Sequence, residues 1–436
     1  MRKDAPPIDL DVLDLSHDGR GVARLDGKVV FVEGALPGER VRARPTRTGR
    51  DFNEAVLVEV LSPSADRVEP RCAHFGVCGG CVLQHLDPAA QIAAKQSQLL
   101  ENFRRIGAVQ PDRVLPPLAA QPWHYRRKAR LSVKQVAKKG RVLVGFRERQ
   151  PRFIADIRRC EVLDVRVGPW IGELSALVGT LAAGAGIAQI EVAAGDDLPA
   201  LVFRHLQPLA ADDLERLRRF GAQAGFAIYL QPGGIDSVHL LAPAGHRLEF
   251  SLARQALVYR FEPLDFIQVN AGLNELMIEQ ALALLALTPD DVVLDLFCGL
   301  GNFSLPMAQR AARVVGVEGE AGLVRRAAEN AQRNGLANAH FHSADLAADL
   351  GAQAWAKDAY SAVLVDPPRT GAQAALEQLR FPAASRLLYV SCHPGSLARD
   401  SRILVERHGF RLAAAGVMDM FPHTAHVESI ALFERR

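Results

Sequence analysis

Apolar and polar residues alternate over short runs at the start of the chain. Residues 8–15, 21–25, 28–32, 40–43 and 55–61 read as β-strands, with Asp18-Gly19 and Asp26-Gly27 as turns. Five strands in so short a span predict a small barrel of the oligonucleotide-binding sort. Past a Ser62-Pro63-Ser64 linker the period changes, and residues 88–106 carry a helical pattern. A proline-rich break at 110–117 follows. Residues 123–260 then mix strand-like runs (131–136, 141–146, 187–193, 198–203, 227–230) with a helical one (210–220), which predicts a mixed α/β unit. From about residue 261, strand and helix alternate regularly. Strands are expected at 292–296, 313–317, 339–341, 362–365 and 386–390, and helices at 273–287, 302–311, 321–334 and 396–408. Runs at 410–417 and 427–433 would close the sheet. Such alternation predicts a doubly wound, parallel α/β domain. The expected division is a barrel over 1–64, a central α/β domain over 65–255 and a doubly wound domain over 256–436. No repeat or low-complexity segment stands out.

A chain of 436 residues is too long for one ordinary core. Its longest uncharged run, 174–190, spans 17 residues and holds three glycines. That falls short of the ~20 apolar residues of a membrane helix, so it reads as buried soluble structure. Residues 1–7 carry no apolar signal core. A cytoplasmic protein without a membrane partner is expected, and there six cysteines favour metal binding or catalysis over disulfides. The net charge of +3 hides an asymmetry. Residues 121–160 hold 13 Lys+Arg against 2 Asp+Glu, while the rest holds 39 against 47. So concentrated a basic segment implies a polyanion, most simply nucleic acid; the plain alternative is a solvated face. Five arginines between Arg40 and Arg50 could touch phosphates, although barrel shape alone would equally suit a protein partner.

The loop Asp295-Leu296-Phe297-Cys298-Gly299-Leu300-Gly301 follows an apolar strand and precedes a helix. Glycines there permit a tight turn and close approach to a ligand. A dinucleotide fingerprint would need a third glycine where Ser304 stands. Glu318 ends the next strand, where a carboxylate can accept both ribose hydroxyls of a nucleoside such as S-adenosylmethionine. Asp345 follows the third strand and could contact adenine, and Asp366 ends the fourth. Each acid alone would be a surface carboxylate or a cap. Their places after successive strands favour a ligand at the sheet's carboxyl edge.

Asp366-Pro367-Pro368-Arg369 is similar to the strand-end signature of base-modifying methyltransferases. Cys392, in Ser391-Cys392-His393-Pro394, ends the following strand and should lie beside Asp366. Uracil C5 is a poor nucleophile, but a thiolate that adds to C6 makes C5 a carbanion equivalent able to take a methyl group. A base must then remove the C5 proton. Glu428, in His426-Val427-Glu428, supplies a carboxylate, and His393, His423 and His426 are rivals. A lone cysteine in an apolar strand is ordinarily inert packing, which is the reading for Cys298; the polar exit at Cys392 favours reactivity.

Cys72, Cys78 and Cys81 lie among Gly76, Gly79 and Gly80, so the loop can wrap an ion or cluster. Cys160 is the remaining candidate for a fourth ligand, and His74 or His85 could replace a cysteine. Four thiolates suit tetrahedral zinc or a [4Fe–4S] cluster equally.

Together these residues resemble the bacterial RNA uracil-C5 methyltransferase family, most closely its 23S rRNA branch with an N-terminal TRAM domain. The likeness covers nearly the whole chain. It takes in the barrel, the cysteine motif, Trp123-His124-Tyr125-Arg126 with its basic run, and Phe266-Ile267-Gln268-Val269-Asn270. It also takes in the glycine loop, Asp-Pro-Pro-Arg, Ser-Cys-x-Pro and His-Val-Glu. The resemblance implies a class I S-adenosylmethionine methyltransferase domain, Rossmann-like, behind an OB-like barrel and a central domain carrying a [4Fe–4S] cluster on Cys72, Cys78, Cys81 and Cys160. It implies cofactor contacts from Gln268, Phe297, Asn302, Glu318, Asp345 and Asp366. It makes Cys392 the nucleophile and Glu428 the proton acceptor. His393 replaces an asparagine common in the family, and Asp345 stands where some members carry asparagine.

The implied partner is 23S rRNA with an unstacked or flipped uridine, with Trp123, His124 and Tyr125 as stacking candidates and no obligate protein partner. The cluster, distant in sequence from the catalytic residues, would serve structure or RNA shaping. Alternatives are a tRNA or dual-site rRNA uridine methyltransferase, and a non-catalytic iron–sulfur RNA-binding assembly factor. A cytosine-C5 enzyme would carry a second cysteine near Asp366, and an amino-group enzyme a tyrosine in place of Arg369; the chain has neither.

Overall fold

The computed structural model describes residues 6–149 and 152–435; residues 1–5, on which the reading of the amino terminus partly rests, lie outside them. β1 (Ile8–Leu15), β2 (Gly21–Leu25), β3 (Lys28–Glu33), β4 (Arg40–Thr48) and β5 (Phe52–Ser62) form a closed barrel in the order β1-β2-β3-β5-β4. The inward set Leu10, Val12, Ala23, Val30, Val32, Val41, Ala43 and Ala55 is its core. β4 and β5 run beyond the alternating stretch, with Arg47 opposite Glu54, since ladder pairing continues where neither face is apolar. The barrel docks through Arg149, which pairs with Glu33 at 2.9 Å and lies over the Phe75 ring of the cysteine loop.

α1 (Pro88–Asn102) begins on the Asp87 cap, with proline at its first turn. It buries Gln91, Lys95 and Leu99. Lys95 Nζ donates to Asp419 Oδ1 at 2.7 Å, which pins the helix to the far end of the chain. The edge strand β6 (Arg113–Val114) precedes β7 (Lys128–Val136), β8 (Arg141–Gly145), α2 (Ile171–Thr180), β9 (Ile187–Ala193), β10 (Ala200–His205), α3 (Ala211–Ala224), β11 (Ala227–Gln231) and β12 (His239–Ala242). Their six-stranded sheet runs β12-β11-β10-β9-β7-β8. Only β10 and β11 are parallel, because α3 carries the crossover between them. The uncharged run begins inside α2, which buries Ile171, Leu174 and Val178; among the described residues no helix is long and apolar enough to cross a membrane. A hairpin of β13 (Leu248–Leu252) and β14 (Leu257–Phe261) follows.

One close approach sets the position of Cys160. A Cβ on Gly168 would meet the Cys160 carbonyl oxygen at 2.2 Å. Gly168→Ala is therefore expected to destabilise the protein by roughly 2–4 kcal/mol, read as a lower denaturant midpoint at unchanged slope. A wild-type midpoint would mean that the two backbones can part freely.

The last part is α4 (Ala271–Leu285), β15 (Val292–Leu296), α5 (Ser304–Ala308), β16 (Arg313–Glu318), α6 (Ala321–Arg333), β17 (Ala339–Ser343), β18 (Ala362–Val365), α7 (Gln373–Gln378), β19 (Arg386–Ser391), α8 (Pro394–Glu406), β20 (Phe410–Met418) and β21 (Glu428–Arg435). The eight-stranded sheet runs β17-β16-β15-β18-β19-β21-β20-β6. β15 to β19 are parallel, and β21 inserts antiparallel between β19 and β20. The helix expected over 302–311 shrinks to α5, since residues 301–303 form the turn that the glycine loop needs.

Candidate active site

The carboxyl ends of β15, β16 and β18 gather three acids. Phe297 and Gly301 adopt φ of +64° and +84°, folding the glycine loop back over β16. The N–H groups of Phe297 and Cys298 both donate to Val317 O. Glu318 reaches across: one oxygen accepts from Gly299 N at 3.1 Å and the other from Gly319 N at 2.8 Å. Asp295 is fully buried under the loop. One of its oxygens accepts from Ser304 while the other has no partner. Burial, with the charges of Asp366 and Glu318 adding, pushes its carboxyl up to about 8.

Asn302 and Asn274 exchange side-chain amide hydrogen bonds of 2.9 Å, which fixes the start of the turn. Gln268 is buried beside Asn270, whose side chain caps α4 and leaves its amide nitrogen unpaired. These fixed amides and the unfilled space beside Gly299 fit a polar nucleoside-bearing ligand. Asp345 is exposed after β17 and accepts from Ala347 N, the role of an ordinary turn cap.

Cys392 and Glu428 face each other by register. β19 and β21 pair Ser391 with Ser429, so the next residue outward on one strand stands opposite the next on the other. Glu428 is 4% exposed, and desolvation together with Asp366 raises its carboxyl well above the usual range while Arg369 opposes. Burial pushes the Cys392 thiol up to about 11; Glu428 and Asp366 add to the rise and Arg369 counters it. Desolvation, with Glu318 adding, lifts Asp366 to about 7.

The histidines have other tasks. His393 caps α8, accepting from Ser396 N at 3.1 Å. His423 stacks on Trp123 with ring centroids 3.9 Å apart. His426 accepts from Arg369 Nη2 at 3.2 Å, and partial desolvation with the Arg369 charge lowers it to about 4, so it stays neutral.

Cys392, Arg369 and His426 line a cavity of about 890 Å³. Cys72, Cys78, Cys81 and Cys160 line it too. Nucleophile candidate and cysteine loop, distant in sequence, therefore share one chamber. All four loop-side thiols are free. Desolvation pushes Cys78 to about 11 and Cys81 to about 12, with the neighbouring cysteines adding to both. Among the described residues no three His, Cys, Asp or Glu side chains stand close enough to hold a single metal ion. The four thiols that line the cavity are, by their chemistry, the kind of donor set that a [4Fe–4S] cluster takes. The Val82 and Leu83 N–H groups both donate to His423 O, tying this loop to the segment that leads into Glu428.

The basic segment divides. Lys134, Lys138, Arg147, Arg152 and Arg158 are exposed. Arg127 turns inward instead, its Nε donating to Gln268 O at 2.8 Å, and Lys128 donates to Pro263 O. These two hold the Gln268 segment and do not face a polyanion. Charge counting sees both kinds alike, and no local signal in the sequence separates them. Trp123 is stacked on His423 and covered by Arg71, and the Tyr125 hydroxyl donates to Pro422 O at 3.2 Å. Both are engaged within the protein.

The family profile described as tRNA (Uracil-5-)-methyltransferase matches residues 246–436, and that of the TRAM domain matches residues 8–58. The chain is 57% identical over its whole length to a protein of Xanthomonas oryzae pv. oryzae, of which it covers 99%, named 23S rRNA (uracil(1939)-C(5))-methyltransferase RlmD. A protein of the same name from Stenotrophomonas maltophilia is 56% identical over the same shares. In three dimensions it is similar to the Pyrococcus abyssi tRNA (uracil-54, C5)-methyltransferase solved with S-adenosyl-L-homocysteine. The TM-score is 0.74 at 21% identity, with 98% of this chain and 100% of the other covered. The identity along the full length, with the uracil-5-methyltransferase profile over the last part and the TRAM profile over the barrel, places the chain in the RNA (uracil-C5)-methyltransferase family, in its TRAM-bearing 23S rRNA branch.

Proposed function

We propose that the protein transfers a methyl group from S-adenosylmethionine to C5 of a uridine in 23S rRNA, the position being the one for which its relatives are named. One observation carries the reading: Cys392 and Glu428 stand opposite each other at the end of β19 and β21, beside the acids of the glycine loop. Bound S-adenosylmethionine supplies an electrophilic methyl on a sulfonium. Glu318 binds the ribose hydroxyls, and Gln268, Phe297, Asn302, Asp345 and Asp366 complete the contacts. Asp345 has the weakest support, since it already caps its own turn.

The Cys392 thiolate adds to C6 of a uridine flipped into the chamber, and the C5=C6 pair moves onto the C4 oxygen. C5 takes the methyl as that pair returns, the S–CH3 bond breaks with its electron pair staying on sulfur, and S-adenosylhomocysteine is the leaving group. Glu428 accepts the C5 proton, C5=C6 reforms, and the thiolate leaves. The exposed part of the basic segment and the barrel arginines hold RNA phosphates. The work divides among a barrel over 1–64, a central domain over 65–255 and a catalytic domain over 256–436, in the cytoplasm.

Two expectations follow from the site. Both working groups must lose a proton, and burial has raised both, so single-turnover rates are expected to climb with pH across the neutral and mildly alkaline range. A flat profile, with chemistry shown to limit the rate, would contradict the thiolate step. Cys72, Cys78, Cys81 and Cys160 are proposed to hold a [4Fe–4S] cluster. Anaerobically purified protein is then expected to contain iron and sulfide, and Cys81→Ala to lose both. Zinc in their place would overturn the cluster.

The substrate test is methyl transfer from labelled S-adenosylmethionine to unmethylated 23S rRNA, 16S rRNA and tRNA side by side. 5-Methyluridine in 23S rRNA alone is the expected result. Product in tRNA would keep the chemistry and replace the substrate. RNA binding without any methylation would favour an assembly factor.

A further inference from the structure

The turn after Pro367 rests on an ion pair whose carboxylate is buried. Gly371 N donates to Pro368 O at 2.8 Å, closing a turn with Arg369 and Thr370 at its centre. Gly371 has φ +81°, and a Cβ there would meet Arg399 Nη2 at 2.5 Å and Asp400 Oδ2 at 2.6 Å. The turn thus sits directly on α8. Arg399 Nη2 donates to Thr370 O at 2.8 Å. Asp400 is 0% exposed. Its Oδ2 accepts from Ala372 N and from the Tyr389 hydroxyl, both at 2.7 Å, and its Oδ1 from Arg399 Nε at 2.8 Å. Burying a charge is costly unless every lone pair is matched, and here the partners are the Arg399 guanidinium, a backbone N–H of the turn and a hydroxyl of β19, the strand that leads into Cys392. An apolar contact would hold two elements together as well; this one fixes a register.

What the register serves is Arg369. Its guanidinium reaches the chamber wall at His426. There it acts on Cys392 and Glu428, each of which also faces the charge of Asp366.

We infer that Arg399 and Asp400 are positioning residues: they anchor the Thr370 to Ala372 backbone so that the Arg369 guanidinium is held where it stabilises a thiolate at Cys392. The inference rests on the reading of Cys392 as the nucleophile. The groups that share this environment are Glu428 on β21, Asp366 after β18, Arg369, His426 and the amino end of α8.

The test is the pH dependence of Cys392 alkylation by iodoacetamide in the full-length protein, followed by mass spectrometry of the Cys392 peptide. Arg369→Met is expected to move the alkylation midpoint to higher pH, slowing reaction at a fixed neutral pH by roughly three- to tenfold. Asp400→Asn is expected to move it the same way although Arg369 is intact, and Arg399→Met to do so more weakly. A merely structural role would lower the melting temperature and leave the midpoint in place. Arg399 is 39% exposed, so its variant carries the test if Asp400→Asn does not fold. Folded Asp400→Asn and Arg399→Met proteins with wild-type midpoints would overturn the inference, as would an unchanged midpoint in Arg369→Met. Alkylation needs neither RNA nor methyl donor. Turnover surviving Cys392→Ala would therefore sink the proposed function while leaving the alkylation result to stand on its own.

Discussion

Cys392→Ala is expected to abolish methyl transfer, with a loss on the order of 10⁴-fold or more in turnover and no covalent RNA adduct on denaturing gels. The size follows from the chemistry. Without addition at C6, C5 has no carbanion character, and no other group in the site can supply it. Cys298, the nearest alternative sulfur in sequence, is 5% exposed within the glycine loop and packs against Gly316 of β16. Cys72, Cys78 and Cys81, on the loop before α1, and Cys160, after β8, line the same cavity from other parts of the chain. RNA affinity is expected to stay within about threefold of wild type, because phosphate contacts dominate binding. Turnover within tenfold of wild type would exclude covalent catalysis at this residue.

Glu428→Gln is expected to separate the two halves of the reaction. Addition and methylation proceed, proton removal fails, and a methylated RNA–protein adduct accumulates to near the enzyme concentration while turnover drops by roughly 10²–10⁴-fold. Glutamine keeps the size of the side chain, so β21 retains its place between β19 and β20. Burial makes Glu428 a stronger base than a solvated carboxylate once it is ionised. The three histidines that compete for the role in the sequence are occupied by a cap, a stack and Arg369. Adduct mass resolves the alternatives. A methylated adduct supports proton removal by Glu428, whereas an unmethylated one would move its action to an earlier step.

Where one face of an element is buried, the sequence spells it out. β1, β9, β15 and β18 begin and end at the residues their apolar patterns mark, since alternation or a continuous apolar run leaves one consistent register. Elements stabilised by distant partners are invisible to that pattern. β6 exists because β20 offers an open edge. In the site, the acids after successive strands announce themselves because strand ends converge at one sheet edge. The juxtaposition of the cysteine loop with Cys392 does not, since it depends on how the central domain folds back over the sheet. Nor does the inward turn of Arg127, whose partner Gln268 lies 141 residues away.

The burial that holds the Cys392 thiol in its protonated form bears on survival as well as rate. Peroxide attacks thiolates, and a thiol that stays protonated climbs the oxidation ladder slowly. Cys78 and Cys81, held protonated by the same dry surroundings, share the shelter while no cluster binds them. If Cys392 is the nucleophile proposed, peroxide is then expected to reach it chiefly in the interval in which a bound uridine draws out the thiolate.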